Sequence, residues 1–146
     1  FAVARVPPAD CARYCIAQGV DSKDAALYSE LFDGHIGTVL AVARDEARAA
    51  QVEKALELAR AAAARDSYTA AVLLAPYEKD KAGAAALLRD LRAVAAAGLQ
   101  GSPHAPVQGQ QAQRTLRLAE AAIQRLGAQV NPKIVLTVFA ARLAHA

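Results

Sequence analysis

The segment KDKAGAAALLRDLRAVAAAG, residues 79–98, decides the fold class of this chain. Its larger apolar side chains, at Leu87, Leu88, Leu91 and Val94, recur every three or four residues, which is the spacing of one face of an α-helix. Alanine, the strongest helix former, fills most of the remaining positions. The segment therefore predicts a long helix whose leucines point into a core.

The rest of the chain has the same character. It has 146 residues, of which 55% are hydrophobic but only 5% aromatic, and it contains no Trp. Runs rich in Val, Ile, Thr and aromatic residues, which are typical of strands, are missing. We therefore predict an all-α protein with a small three-helix subdomain at residues 1–44 and an antiparallel helical bundle at residues 45–146.

Start and stop signals define three short helices in the first subdomain. Pro7–Pro8 suits the first turn of a helix, and Gly19 is a typical residue just beyond a helix end. Asp21 is a good N-cap for the second helix, which Asp33–Gly34 ends. The third helix is predicted at about residues 36–43.

The predicted bundle consists of longer, alanine-rich helices. We expect them at about residues 45–64, 68–75, 79–98 and 110–126, with a final helix that begins at Asn131. Three Gly and two Pro in residues 98–109 predict a flexible loop. The final helix is apolar on more than one side, so it lies either at the centre of the bundle or against another chain.

Composition limits the functional classes that this chain can belong to. The 17 basic and 14 acidic residues give a net charge of +3 and are interleaved, whereas a DNA-binding domain usually shows a dense basic stripe. No apolar run reaches the roughly 20 residues that a membrane span needs. Cys11 and Cys15, four apart on one helix, are read as reduced cytosolic thiols. The chain starts at Phe1 and contains no Met, so we expect it to be part of a longer protein.

The residue types that usually carry chemistry are not arranged for it. His35, His104 and His145 have no metal-ligating partner three or four residues away. Neither a phosphate-binding loop nor a dinucleotide fingerprint is present. The carboxylates, Asp90 among them, fall on helix faces that we expect to be solvated. We predict no catalytic residue, no cofactor, no metal site and no enzymatic activity for this chain.

Two motifs stand out, although each taken alone is explained by local structure, the first as a helix-turn-helix junction and the second as a helix cap. In DGHIGTVL, residues 33–40, Gly34 and Gly37 lie three apart at a helix junction where backbone segments approach closely. In NPKI, residues 131–134, Asn131 is a good N-cap for the apolar final helix.

In this order and spacing, the motifs resemble the lid and collar of bacterial DNA polymerase III clamp-loader subunits, which are related to the AAA+ ATPases. The lid-like pattern is an apolar segment followed by VPP at 6–8, Gly-Val-Asp at 19–21 and Asp-Gly-His-Ile-Gly at 33–37. The collar-like pattern is Asn-Pro-Lys-Ile at 131–134 with Ala-Arg-Leu at 141–143. The resemblance covers nearly the whole chain.

The lid junction distinguishes the subunit types of this family. In the ATP-binding gamma/tau subunits an Arg at this junction reaches the nucleotide phosphates. Gly37 stands at that place here, and glycine has no side chain that could pair with a phosphate. The resemblance is therefore to the delta-prime type, which does not hydrolyse ATP, with delta and gamma/tau left open. The family's ATPase-like domain would precede Phe1.

The resemblance implies an assembly function in the cytoplasm, with no membrane contact. Five collar domains form a ring, and ATP-driven movement of the attached modules opens the sliding clamp and places it on primed DNA. The partners would be the gamma/tau and delta subunits, while the clamp and DNA would be reached only through the whole complex. The sequence does not separate core from interface among the predicted collar residues, which are Leu87, Leu91, Leu116, Ile123, Asn131, Ile134, Val138 and Phe139.

Two other functions fit the same composition. One is a free-standing helical protein-interaction domain unrelated to replication. The other is a helical nucleic-acid binder, which would show steeply salt-dependent DNA binding. Its candidate contacts are Arg89, Arg92, Arg114, Arg117 and Arg125.

Overall fold

A computed structural model describes residues 6–145, so the apolar segment before Val6, which the sequence indicates is the tail of a strand or an extended linker, lies outside the described part. Helices occupy most of these residues, no strand occurs among them, and the prediction of an all-α fold is confirmed. The helices are α1 Pro8–Ala17, α2 Ser22–Leu31, α3 Ile36–Arg44, α4 Glu46–Ala63, α5 Ser67–Leu74, α6 Lys81–Leu99, α7 Gly109–Gly127 and α8 Pro132–Leu143, with a 3-10 turn at Ala75–Tyr77.

The chain divides into two compact units, Phe1–Gln51 and Val52–Ala146. The sequence analysis placed the division after residue 44, at the start of α4. The structural division instead falls within α4, because the first turn of that helix is tied to the first unit. The guanidinium carbon of Arg48 lies 5.9 Å from the centre of the Phe32 ring.

The first unit is formed by α1, α2 and α3, which pack against one another in pairs. Its helix ends follow the predicted local chemistry. Gly19 follows α1 with a φ of 95°, and the N–H of Val20 donates to Cys15 O at 3.0 Å. Asp21 caps α2 by accepting a hydrogen bond from Lys23 N at 3.1 Å. The buried apolar side chains are Cys11, Cys15, Ala25, Tyr28, Leu31, Val39 and Val42.

The second unit is built around the contact between α6 and α7, which is more extensive than any other helix pair among the described residues. On α6, Leu87, Leu88 and Leu91 are fully buried. The buried face of α7 is mostly small, which lets two helices approach closely. It consists of Ala112, Thr115, Ala119, Ala122 and Leu126.

The segment between α6 and α7 is a packed loop rather than the flexible one that its Gly and Pro content predicts. Ala105 and Val107 are buried in the second unit. The side-chain amide of Gln108 donates to Ser102 O at 2.6 Å and to Ala105 O at 3.0 Å. The two apolar side chains anchor the loop, and the amide satisfies carbonyl groups that would otherwise need water.

Candidate functional site

Helix α8 has a well-defined start. Asn131 Oδ1 accepts a hydrogen bond from Lys133 N at 2.9 Å, and Asn131 O accepts one from Val135 N at 3.1 Å. Pro132 occupies the first helical position, where its missing N–H costs nothing. The cap that the sequence predicts at Asn131 is therefore formed, and it fixes the direction in which α8 leaves the preceding turn.

The inner face of α8 belongs to the core of the second unit. It packs against α5 and α7. Its buried side chains are Val135, Leu136, Phe139, Ala140, Leu143 and Ala144. This face holds the helix in place before any partner binds.

The opposite face of α8 is exposed and carries a line of mostly apolar side chains between three polar ones, Lys133, Thr137 and Arg142. Ile134 is 58% exposed and Val138 is 37% exposed. Ala141 and His145 continue the same line, at spacings of three and four residues, and are exposed too. We call these four residues the outer stripe. Covering the two branched side chains would contribute about 1 kcal/mol each, so the outer stripe is a favourable surface for a partner.

Two surface grooves meet at Ala141 and His145, at the C-terminal end of the outer stripe. The α5–α8 groove encloses about 460 Å³, and Tyr68, which is 78% exposed, is one of the residues that line it. The α7–α8 groove encloses about 500 Å³ and is lined by Arg114, Arg117, Leu118, Ala141, Arg142 and His145. Ile134 and Val138 line neither groove, so the grooves adjoin the outer stripe only at its C-terminal end.

The structure separates the predicted collar residues into three groups. Leu87, Leu91 and Phe139 are buried inside the second unit. Leu116 and Ile123 are half-buried, because α7 turns its alanines toward the core rather than these larger side chains. The exposed members, which are the most accessible to a partner, are Asn131, Ile134 and Val138.

The predicted lid junction depends on one glycine rather than two. Gly34 is buried with a φ of 75°, and its carbonyl accepts a hydrogen bond from Val6 N at 3.2 Å. A Cβ at Gly34 would overlap Val6 O, so only glycine fits there. Gly37 does not belong to this turn, since it lies in the first turn of α3 and is half-buried.

The two thiols are part of the first unit's core. Cys11 and Cys15 are both free and fully buried on α1. Burial raises the pKa of Cys15 to about 11, and the neighbouring Cys11 adds to this through its charge and a hydrogen bond. Cys15 is therefore a thiol at neutral pH, and the thiolate that metals and electrophiles require is disfavoured.

One carboxylate lies where the sequence does not predict it. Asp90 was expected on a solvated face of α6 but is only 5% exposed. The reason is that Asp90 lies at the edge of the covered face of α6, one turn from Leu87 and Val94, which are buried as well. Asp66 instead caps α5, where hydrogen bonds from the hydroxyl and the N–H of Thr69 hold the pKa of its carboxyl below the usual value.

Basic residues are less evenly spread than the total charge indicates. Residues 91–146 contain six basic residues and a single acidic one, whereas residues 1–90 contain eleven basic and thirteen acidic residues. Of the arginines considered for nucleic-acid binding, Arg114 and Arg117 line the α7–α8 groove. Arg89 lines a separate groove, of about 450 Å³, between α6 and α7. Arg114 and Arg117 therefore lie beside α8 and not beside Arg89.

Within residues 6–145, no three His, Cys, Asp or Glu side chains come close enough together to hold a metal ion. None of the helices in that range combines the length and the apolarity that crossing a bilayer requires.

Comparisons with known proteins add no relative. No protein-family model matches the chain, and neither a curated protein nor a solved structure is significantly similar to it. The candidate site is therefore defined by the residues and contacts of this chain alone.

Proposed function

We propose that the chain is a non-catalytic assembly segment of a bacterial clamp-loader subunit of the delta-prime type. In this proposal, residues 45–146 pack into the collar of a hetero-pentamer with gamma/tau and delta subunits, and residues 1–44 form the lid. The complex would act in the cytoplasm during DNA replication, and it would bring the chain to the sliding clamp and primed DNA. The observation that carries the proposal is the outer stripe of α8.

The outer stripe suits a permanent assembly contact because it is rigid before binding. The Asn131 cap fixes one end of α8, and Phe139 anchors its inner face in the core. A partner that covers Ile134 and Val138 therefore pays little conformational entropy, which favours affinity. A ring of collars needs such preformed contacts, since each member has to meet two neighbours at a defined angle.

The lid junction supports the same proposal independently. Gly34 lets Val6 pass directly against the turn between α2 and α3. Gly37 presents no side chain at the place where the ATP-binding subunits carry an Arg. This combination favours the delta-prime type, which keeps the lid architecture without ATP hydrolysis.

Native mass spectrometry of the 146-residue chain, mixed with gamma/tau and delta subunits of the same organism, tests the proposal. The informative variant is Ile134→Asp combined with Val138→Asp, because both side chains are exposed and the variant should remain folded. Leu99→Asp is the matched control: Leu99 is also an exposed apolar residue, 44% exposed, but it lies on α6, which packs on α7. Phe139→Asp is unsuitable, since a buried charge would unfold the bundle.

We expect one copy of the chain in a hetero-pentamer, with incorporation lost in the double variant and retained in Leu99→Asp. If the folded chain joins no complex at any mixing ratio, the clamp-loader proposal is wrong, and a free-standing interaction domain becomes the better reading. Steeply salt-dependent DNA binding by the chain alone would instead favour the nucleic-acid binder.

A further inference from the structure

The α7–α8 groove has a chemical character that differs from the rest of the surface. Arg114 and Arg117 lie one turn apart on its α7 wall, and Arg142 lies on its α8 wall. All three side chains are exposed, and none forms an ion pair with a described residue. Between them, Leu118 and Ala141 provide an apolar floor.

The positive charge of this groove is not offset by its own helices. Helix α8 contains no acidic residue, and the one on α7, Glu120, is not among the groove-lining residues. Glu120 lies within one turn of Arg117 but makes no ion pair with it. The groove therefore presents unneutralised guanidinium groups around an apolar depression, and its partner should be complementary to both features.

We propose that the α7–α8 groove binds an acidic polypeptide segment of another protein. An apolar side chain such as Leu enters the floor between Leu118 and Ala141, and flanking Asp or Glu side chains pair with Arg114, Arg117 and Arg142. The planar guanidinium fork of Arg matches a carboxylate with two parallel hydrogen bonds, which gives direction as well as attraction.

The apolar floor favours a polypeptide over a nucleic acid. A phosphodiester backbone would use the arginines but would leave Leu118 and Ala141 without a partner. A segment that alternates acidic and apolar side chains uses both parts of the groove. A volume of about 500 Å³ is also in the range of sites that hold a few side chains. This inference does not depend on the collar proposal, because it rests on the arginines of the groove and not on Ile134 or Val138.

The test measures binding of a fluorescent 12-residue peptide to the full 146-residue chain by anisotropy. The probe is composed of Glu and Leu, with leucines three and four residues apart, and the matched control peptide carries Gln in place of every Glu. We expect the Glu peptide to bind in a salt-sensitive manner and the Gln peptide to bind much more weakly. Reversing one rim charge with Arg117→Glu should weaken binding about tenfold.

Arg89→Glu is the matched control variant, since Arg89 is an exposed arginine in a separate groove. Both variants change surface residues, and circular dichroism verifies that each remains folded. The proposal predicts that Arg89→Glu leaves the affinity within about twofold of that of the unmodified chain. Nuclear magnetic resonance shifts on addition of the peptide should concentrate on residues of α7 and α8.

Several results would overturn the proposal. Equal affinity for the Gln and Glu peptides, equal effects of Arg89→Glu and Arg117→Glu, or no peptide binding at millimolar concentration would each do so. A 12-nucleotide single-stranded DNA that binds more tightly than the peptide would assign the groove to nucleic acid. Self-association that Arg117→Glu abolishes would assign it to a second copy of the chain. The peptide-binding result is independent of pentamer assembly, which is tested separately with the Ile134 and Val138 variant.

Discussion

Replacing Gly34 by Ala is the substitution whose effect the structure defines most closely. The added Cβ would overlap Val6 O, and the residue would have to keep a φ of 75°. Gly19→Ala is the matched control in the same unit. Gly19 also has a positive φ, of 95°, but no atom lies within 4 Å of the position that a Cβ would take.

The two substitutions share one cost and differ in another. Holding Ala in the left-handed region costs about 1 kcal/mol, and the stiffer unfolded chain offsets part of this in both variants. Gly34→Ala must in addition push Val6 away and break its 3.2 Å hydrogen bond to Gly34 O, which costs about 1 kcal/mol more. We expect a loss of roughly 2 kcal/mol for Gly34→Ala and of less than 1 kcal/mol for Gly19→Ala.

Urea unfolding followed by circular dichroism measures both values. Because the chain forms two compact units, the unfolding curve is to be fitted with two transitions if two are resolved, and the change is assigned to the transition of the first unit. Equal losses of stability in the two variants would refute the reasoning, since they would mean that Val6 does not pass against Gly34.

Three further predictions concern stability. Raising the pH from about 9 to about 11 should lower the free energy of unfolding more in the unmodified chain than in Cys15→Ala. The reason is that the pKa of the Cys15 thiol is 9.0 in the unfolded chain but about 11 in the folded one. Parallel pH profiles of the two chains in urea titrations would contradict this. Thr115→Val should increase the free energy of unfolding by up to about 1 kcal/mol, because the Thr115 hydroxyl is buried without a hydrogen-bond partner. The thermal midpoint measures this gain, and Thr137→Val, at an exposed position, is the control that should show none. Gln129→Gly should stabilise by about 0.5 kcal/mol, because Gln129 has a φ of 63°, whereas Gln124→Gly inside α7 should cost about 1 kcal/mol in the same urea assay.

The features that the sequence predicts well depend on local chemistry. The cap at Asn131, the cap at Asp21 and the helix end at Gly19 each involve residues only a few positions apart. The long helix at residues 79–98 is predicted from the helical spacing of its leucines, and it is observed as α6 at Lys81–Leu99. Local signals of this kind are present in the sequence itself.

The features that the sequence does not predict depend on what lies next to each element. On α7, the pattern of large apolar residues points to Leu116 and Ile123, but the helix buries its alanines because α6 supplies the bulky side chains of that contact. Asp90 is buried because neighbouring helices cover a wider part of the α6 surface than the spacing of its leucines indicates. The buried side chain of Val107 holds the Gly- and Pro-containing loop between α6 and α7 against the second unit.

The candidate site lies between these two cases. The sequence shows that the final helix is apolar on more than one side, and it identifies Ile134, Val138 and Phe139 together. Only the positions of α5 and α7 decide that Phe139 faces the core and that Ile134 and Val138 face outward. The charge of the α7–α8 groove is likewise hidden in a sequence whose total charge is small, because Arg117 and Arg142 come together only in the fold.

Site-specific photo-crosslinking tests the central claim, that the outer stripe of α8 is an assembly surface, most directly. A benzoylphenylalanine at position 134, in the 146-residue chain mixed with gamma/tau and delta subunits, would be irradiated and its crosslinked peptides identified by mass spectrometry. The same group at position 99 is the control. We predict crosslinks from position 134 to another clamp-loader subunit and few from position 99. Equal crosslinking from both positions, or none from position 134 in a folded chain, would contradict the account.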